Sequence, residues 1–153
     1  AMTAETRLFG TITIPDEKLI TFPEGIVGFP FMKNFALIHD VDNADSPIMW
    51  LQSMEETEFA MPVLEPNVVK DDYNPTVNDE HLAPVGELAP DQIYVLVTIT
   101  VPPQIEKMSV NLKAPIVINM ANNKAVQIIV ENDFQVKYPI YETLKKRKEG
   151  ASC

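Results

Sequence analysis

The chain is 153 residues long, with 46% hydrophobic and 22% charged residues. That is one domain's worth of sequence, apolar enough to build a core, and it excludes wholesale disorder. The formal net charge of −10 excludes a direct grip on a phosphate backbone and a static attraction to anionic lipid.

Taken in chain order, the apolar residues recur with period two. Ile12 and Ile14 alternate with Thr11 and Thr13, and Ile20 and Phe22 flank Thr21. Pro23-Glu24-Gly25 then turns the chain, Pro supplying a fixed φ and Gly a permissive one. Ile48, Trp50 and Gln52 oppose Met49, Leu51 and Ser53, and Phe59, Met61 and Val63 follow. The cleanest run is Ile93, Val95, Val97, Ile99 and Val101. Met108, Val110 and Leu112 come next, then Ile116 and Ile118, then Val126, Ile128 and Val130. Alternation sends one set of side chains to a core and the other outward, and Val, Ile, Thr and Phe suit a pleated surface. Asn122-Asn123 predicts a hairpin, because Asn tolerates the positive φ of a tight turn. Many short strands separated by Pro, Gly and Asn turns predict an all-β, mainly antiparallel, single-domain barrel with one or two short helical segments.

Two stretches break the alternation. Residues 70–91 are polar and acidic, with at most a helical turn at Asp79-Glu80-His81-Leu82. Residues 141–149 read as a short helix or a frayed tail. The expected organisation is one domain over 1–153, with an ordered core at about 5–144 and a basic tail at 145–153.

Charge is unevenly placed. Residues 40–91 hold thirteen acidic side chains and one basic one, Lys70, for a net of −12. Residues 145–153 carry +3, and the rest is close to neutral. A solvated face accounts for most such clusters; a negative field that steers or excludes charged partners is the functional reading.

Constellations for chemistry are absent from the sequence. His39 and His81 are the only histidines and have no metal-ligand spacing. Asp40-Val41-Asp42-Asn43-Ala44-Asp45 begins like a calcium loop, but Asp45 stands where Gly is needed and Leu51 where a bidentate Glu is needed. The adjacent acid pairs lack the spacing of a glycosidase cleft. There is no phosphate-binding glycine loop and no nucleophile elbow. Cys153, the one cysteine, can form no internal disulfide or thiolate cluster, and nothing structured lowers its pKa. The expectation is therefore a binding protein with no catalytic residue, no metal and no cofactor. The first residues, Ala1-Met2-Thr3-Ala4-Glu5, lack the features of a secretory leader, and the apolar runs are too short to span a bilayer, so the expected compartment is the cytosol.

Several stretches resemble one family. Phe9-Gly10-Thr11-Ile12-Thr13-Ile14 and Ile20-Thr21-Phe22-Pro23-Glu24-Gly25-Ile26-Val27-Gly28-Phe29 look like the opening of the flagellar assembly factor FliW family. Leu51-Gln52-Ser53-Met54 with Phe59-Ala60-Met61-Pro62-Val63-Leu64-Glu65-Pro66 resembles its middle. Asn111-Leu112-Lys113-Ala114-Pro115-Ile116-Val117-Ile118-Asn119 is similar to its most distinctive stretch, and Gln127-Ile128-Ile129 to Tyr138-Pro139-Ile140 completes the likeness. The departures are the 70–91 segment and the tail after Leu144.

The resemblance implies a small β-barrel and a non-enzymatic, cytoplasmic regulator. It implies two protein partners: flagellin, held before export, and CsrA, the RNA-binding repressor of flagellin translation. The expected flagellin surface is a shallow apolar groove formed by exposed Ile26, Val27, Phe29, Met54 and Met61. The acids expected to act against RNA on bound CsrA are Glu55, Glu56, Glu58, Asp71 and Asp72. Free chain is expected to be monomeric. The alternative is a β-barrel that binds a small molecule, which needs an open polar-lined cavity. An oligonucleotide-binding barrel needs a basic face with exposed aromatics, which the charge map opposes.

Overall fold

The computed structural model describes residues 1–39 and 45–151. Residues 40–44 of the calcium-like stretch, and Cys153, lie outside the described residues.

Eleven strands and two α-helices, with short 3-10 turns between them, account for the regular structure among the described residues. In chain order the strands are β1 (Met2–Thr6), β2 (Gly10–Ile14), β3 (Ile20–Thr21), β4 (Asn34–His39), β5 (Met49–Ser53), β6 (Ala60–Leu64), β7 (Ile93–Thr100), β8 (Ser109–Val110), β9 (Ile116–Asn119), β10 (Lys124–Gln127) and β11 (Tyr138–Pro139). The helices are α1 (Asp79–Leu82) and α2 (Tyr141–Ala151).

Seven strands close a barrel in the order β3-β4-β5-β6-β7-β9-β10 and back to β3. Every neighbour is antiparallel except β10 and β3, which meet in parallel at Lys124 and Thr21. The predicted barrel is thus the observed one. β7 changes partner along one edge: Ile93 to Leu96 pair with β9, and Ile99 and Thr100 pair with β8. That switch lets β8 and β11 extend the sheet past the ring.

Alternation explains the filling. Phe22, Phe35, Leu51, Val63, Leu96 and Ile116 are fully buried and meet inside the barrel. Phe22 and Phe35 stack edge-on at 5.2 Å. On β4 the other face, Ala36 and Ile38, is covered by the β1–β2 hairpin through Ala4, Ile12 and Ile14. Trp50 stands on the outer face of β5, half-buried and 6.3 Å from the Phe9 ring. Trp50, Phe59 and Tyr94 all lie in alternating runs that predict core packing; Phe59 and Tyr94 pack against the central core, whereas Trp50, on the opposite face of its strand, does not. Burial pushes the Tyr94 hydroxyl up to about 12. The Tyr73 hydroxyl, also pushed to about 12 by burial, donates to the Leu112 carbonyl at 2.7 Å beneath the β8–β11 extension.

Two asparagine motifs behave as local chemistry dictates. Asn111 Oδ1 accepts from the Lys113 and Ala114 amides, turning the chain before Pro115. Asn123 adopts φ +56° in the β9–β10 hairpin that Asn122-Asn123 predicts.

The acidic stretch after β6 packs onto the outside of the barrel wall. Val77, Leu82, Val85 and Leu88 cover Val117, Val126 and Ile128. Helix α1 is a single turn capped by Asn78, whose Oδ1 accepts from the Glu80 amide. Residues 141–151 form helix α2, whose Leu144 packs against the core beneath β8 and β11.

Candidate partner-binding surface

The link between β3 and β4 closes one end of the barrel. Phe22 accepts from the Gly25 amide, and Ile26 and Phe29 exchange backbone bonds of 3.2 and 2.8 Å. Gly25 and Gly28 take φ +71° and +86°, which tightens this small hairpin. Ile26 and Met32 turn inward to the core. Val27, Phe29 and Phe31 turn outward, 50%, 40% and 58% exposed. The Phe29 ring lies 6.1 Å from Phe31 and 5.6 Å from Phe59, giving a contiguous aromatic patch. Exposed apolar clusters are where interaction surfaces are commonly found.

The turn between β5 and β6 borders that patch. Ser53 Oγ accepts from the Glu55 and Glu56 amides. The Glu55 carboxylate accepts from the Lys33 and Asn34 amides at 2.8 and 2.6 Å, tying the two loops together. Buried Gln52 braces the turn from beneath, its Nε2 lying 2.9–3.1 Å from the carbonyls of Ser53, Thr57 and Phe59. Glu56 and Glu58 are exposed.

The residues expected to bind partners therefore divide. Phe29 meets Phe59 in the turn that carries Glu55, Glu56 and Glu58, Val27 is exposed but turns toward β10, and Met61 is half-buried against the central core. Ile26 and Met54 are each only 5% exposed, which corrects the expectation that they lie on the surface. Ile26 fills the barrel end, and Met54 is roofed by the N-terminal hairpin beside Ala4 and Ala36. Asp71 and Asp72 sit past the opposite end of β6. Asp72 pairs with Lys70 at 3.0 Å, and that hydrogen bond holds its carboxyl below the usual range and raises the Lys70 ammonium. Phe31, outside the expected set, belongs to the patch as well. Its signal is the Pro30 before it, which breaks the alternation and frees the ring from a strand face.

The FliW protein family is matched over residues 3–140 of this chain. The chain belongs to the FliW family. It is 41% identical to the flagellar assembly factor FliW of Lachnoclostridium phytofermentans, over 99% of this chain and 100% of that one. The Lachnospira eligens protein of the same name is also 41% identical, over 96% and 99%. The one from Thermotoga maritima is 36% identical, over 96% and 98%. A crystal structure of the flagellar assembly factor FliW superposes with a TM-score of 0.82 at 25% identity, covering 91% of this chain and 96% of that one. Membership of the FliW family, and its barrel, are as the sequence resemblance implies. Among the described residues, no helix is long and apolar enough to cross a membrane.

Proposed function

We propose that this chain is a cytoplasmic, non-enzymatic regulator of flagellum assembly that binds flagellin and antagonises CsrA. Family membership supports the flagellar role, since the relatives carry the name flagellar assembly factor. The observation that carries the partner-binding reading is the Phe29-Phe31 patch beside Glu55, Glu56 and Glu58. An apolar surface of this kind suits a flagellin segment whose helix would otherwise expose an apolar face, in helix-in-groove fashion. Two ligands of different chemistry can share one end of the barrel, one through rings and one through charge.

The acids supply a way to silence an RNA-binding repressor without covering its site. Seated on CsrA, three carboxylates act on an incoming RNA strand over a Debye length of ~8–10 Å. Each contributes on the order of 1 kcal/mol or less near a surface, and together about a tenfold loss of RNA affinity at low salt. Asp72 adds little, being neutralised by Lys70. The small-molecule alternative is disfavoured by the apolar side chains, Phe22, Phe35, Leu51, Val63, Leu96 and Ile116 among them, that fill the barrel interior.

The test is to replace Glu55, Glu56 and Glu58 with Gln and titrate CsrA with RNA in the presence of the variant. Gln at 55 keeps an oxygen to accept from Lys33 and Asn34, so the loop is preserved. The expected result is unchanged folding with weaker exclusion of RNA, the difference from the parent shrinking as salt rises. If the variant binds CsrA and excludes RNA as well as the parent at every salt concentration, steric occlusion is the mechanism instead.

A further inference from the structure

The edge formed by the end of β10 and the residues that follow it is incompletely paired. Ile128 donates to the Pro115 carbonyl and Val130 to the Lys113 carbonyl, each at 3.0 Å, so the even-numbered backbone groups face β9. In an antiparallel ladder the odd-numbered groups then face the other way. On that side β3 pairs only at Thr21 with Lys124, because the chain turns off at Pro23. Among the described residues, the backbone groups of Gln127 and Ile129 on this edge have no backbone partner. Such groups are obligatory hydrogen-bonding groups and take water or another strand.

The space beside this edge is shaped and charged. A cleft of ≈ 480 Å³ lies along it, lined among others by Glu24, Val27, Glu80, His81, Pro84 and Ile129. A second hollow of ≈ 230 Å³ shares His81 and Ile129 and reaches Glu131. Val27 and Ile129 are 50% and 57% exposed. Three carboxylates line these two hollows and no Lys or Arg does. The Gln127 side chain accepts from the Val27 amide at 2.9 Å, which fixes the near wall. The open stretch from Gln127 to Glu131 spans roughly 13 Å, room for about four or five residues of an added strand.

We propose that this edge receives an extended segment of a partner protein as an added strand, with basic and apolar side chains alternating along it. Strand addition supplies the backbone bonds that Gln127 and Ile129 lack. Apolar side chains of the segment rest on Val27, Pro84 and Ile129, and basic ones reach Glu24, Glu80 and Glu131. A second copy of this chain is a poor occupant, since its basic run, Lys145 to Lys148, lies within helix α2 and is not extended. The site adjoins the Phe29-Phe31 patch at Val27, but its test needs neither flagellin nor CsrA.

The probe is a synthetic octapeptide of alternating Lys and Val, titrated into the isotopically labelled chain and followed by amide shifts. Shifts are expected at 24–27, 80–84 and 127–131, with affinity falling as salt rises. The same peptide with Glu for Lys is expected to bind at least about tenfold more weakly. Methylating the peptide's backbone nitrogens at every second residue removes one row of donors. One of the two alternate methylation patterns is expected to abolish binding and the other to spare it. Ile129→Pro removes an amide that the fold does not use, and is expected to lower affinity about five- to tenfold. Equal binding by both methylated peptides, equal binding by the Glu peptide, no shift at 127–131 at millimolar peptide, or a peptide-free dimer that buries this edge would each overturn the proposal.

Discussion

Gly25→Ala is expected to cost about 3 kcal/mol or more of stability, from two independent sources. Gly25 holds φ +71°, and an L-residue in that region loses roughly 1–2 kcal/mol. A Cβ there would also lie 2.5 Å from three backbone atoms of Pro30. Backbone cannot rotate out of the way, so the Ile26–Phe29 hairpin must open, and overpacking of this kind adds about 1–3 kcal/mol. For a domain of this size each kcal/mol lowers Tm by about 2–4 °C, so a fall near 10 °C is expected. Gly28→Ala is the control. Its φ is +86° but no atom lies within 4 Å of the added Cβ, so about 1–2 kcal/mol is expected from the backbone alone. Urea unfolding of both variants checks the difference; equal midpoints would mean that the Pro30 contact relaxes at no cost.

Asn119→Leu is expected to loosen the segment that clads the barrel wall. Asn119 is 1% exposed, and its amide donates to the carbonyls of Val85 and Glu87 at 2.9 and 3.1 Å while its Oδ1 accepts from Ala121. Leucine of similar size keeps the volume and strands those groups. Val85 retains one donor, Asn122 Nδ2, and Glu87 and Ala121 can reach water, so the expected loss is about 2–4 kcal/mol rather than the full penalty for every group. Hydrogen exchange localises it: amides of 82–88 are expected to exchange faster, with those of β4 and β5 little changed relative to global stability. Unchanged exchange at 82–88 would mean that Val77, Leu82, Val85 and Leu88 hold the segment by apolar contact alone.

These two residues mark what the sequence makes legible. Phe22-Pro23-Glu24-Gly25 announces its turn through residue types with one physical use each, and the alternating runs announce strands whose inward faces fill the barrel. The closure does not show, because β10 and β3 meet through a single pair, Thr21 and Lys124, distant in sequence and without a pattern. The 70–91 segment does not show either. Its buried residues follow neither a helical nor a strand period, and its backbone is held by Asn119 and Asn122 from another part of the chain. At the candidate site, Val27 and Phe29 read correctly as surface residues. Ile26 alternates with Val27 and so faces the core, and Met54 is covered by a hairpin more than forty positions earlier in the chain, which no local pattern announces.

The exposed rings at one end of the barrel are proposed to hold a flagellar partner. Calorimetric titration of the purified chain with flagellin, and separately with CsrA, tests it most directly when repeated with a Phe29→Ser, Phe31→Ser double variant. Both rings are exposed, so the variant is expected to melt within a few degrees of the parent. The parent is expected to bind both proteins, and the variant to bind flagellin at least about tenfold more weakly, the effect of losing two aromatic anchors. Failure of the parent to bind either protein, or equal flagellin affinity in a folded double variant, would contradict the proposal.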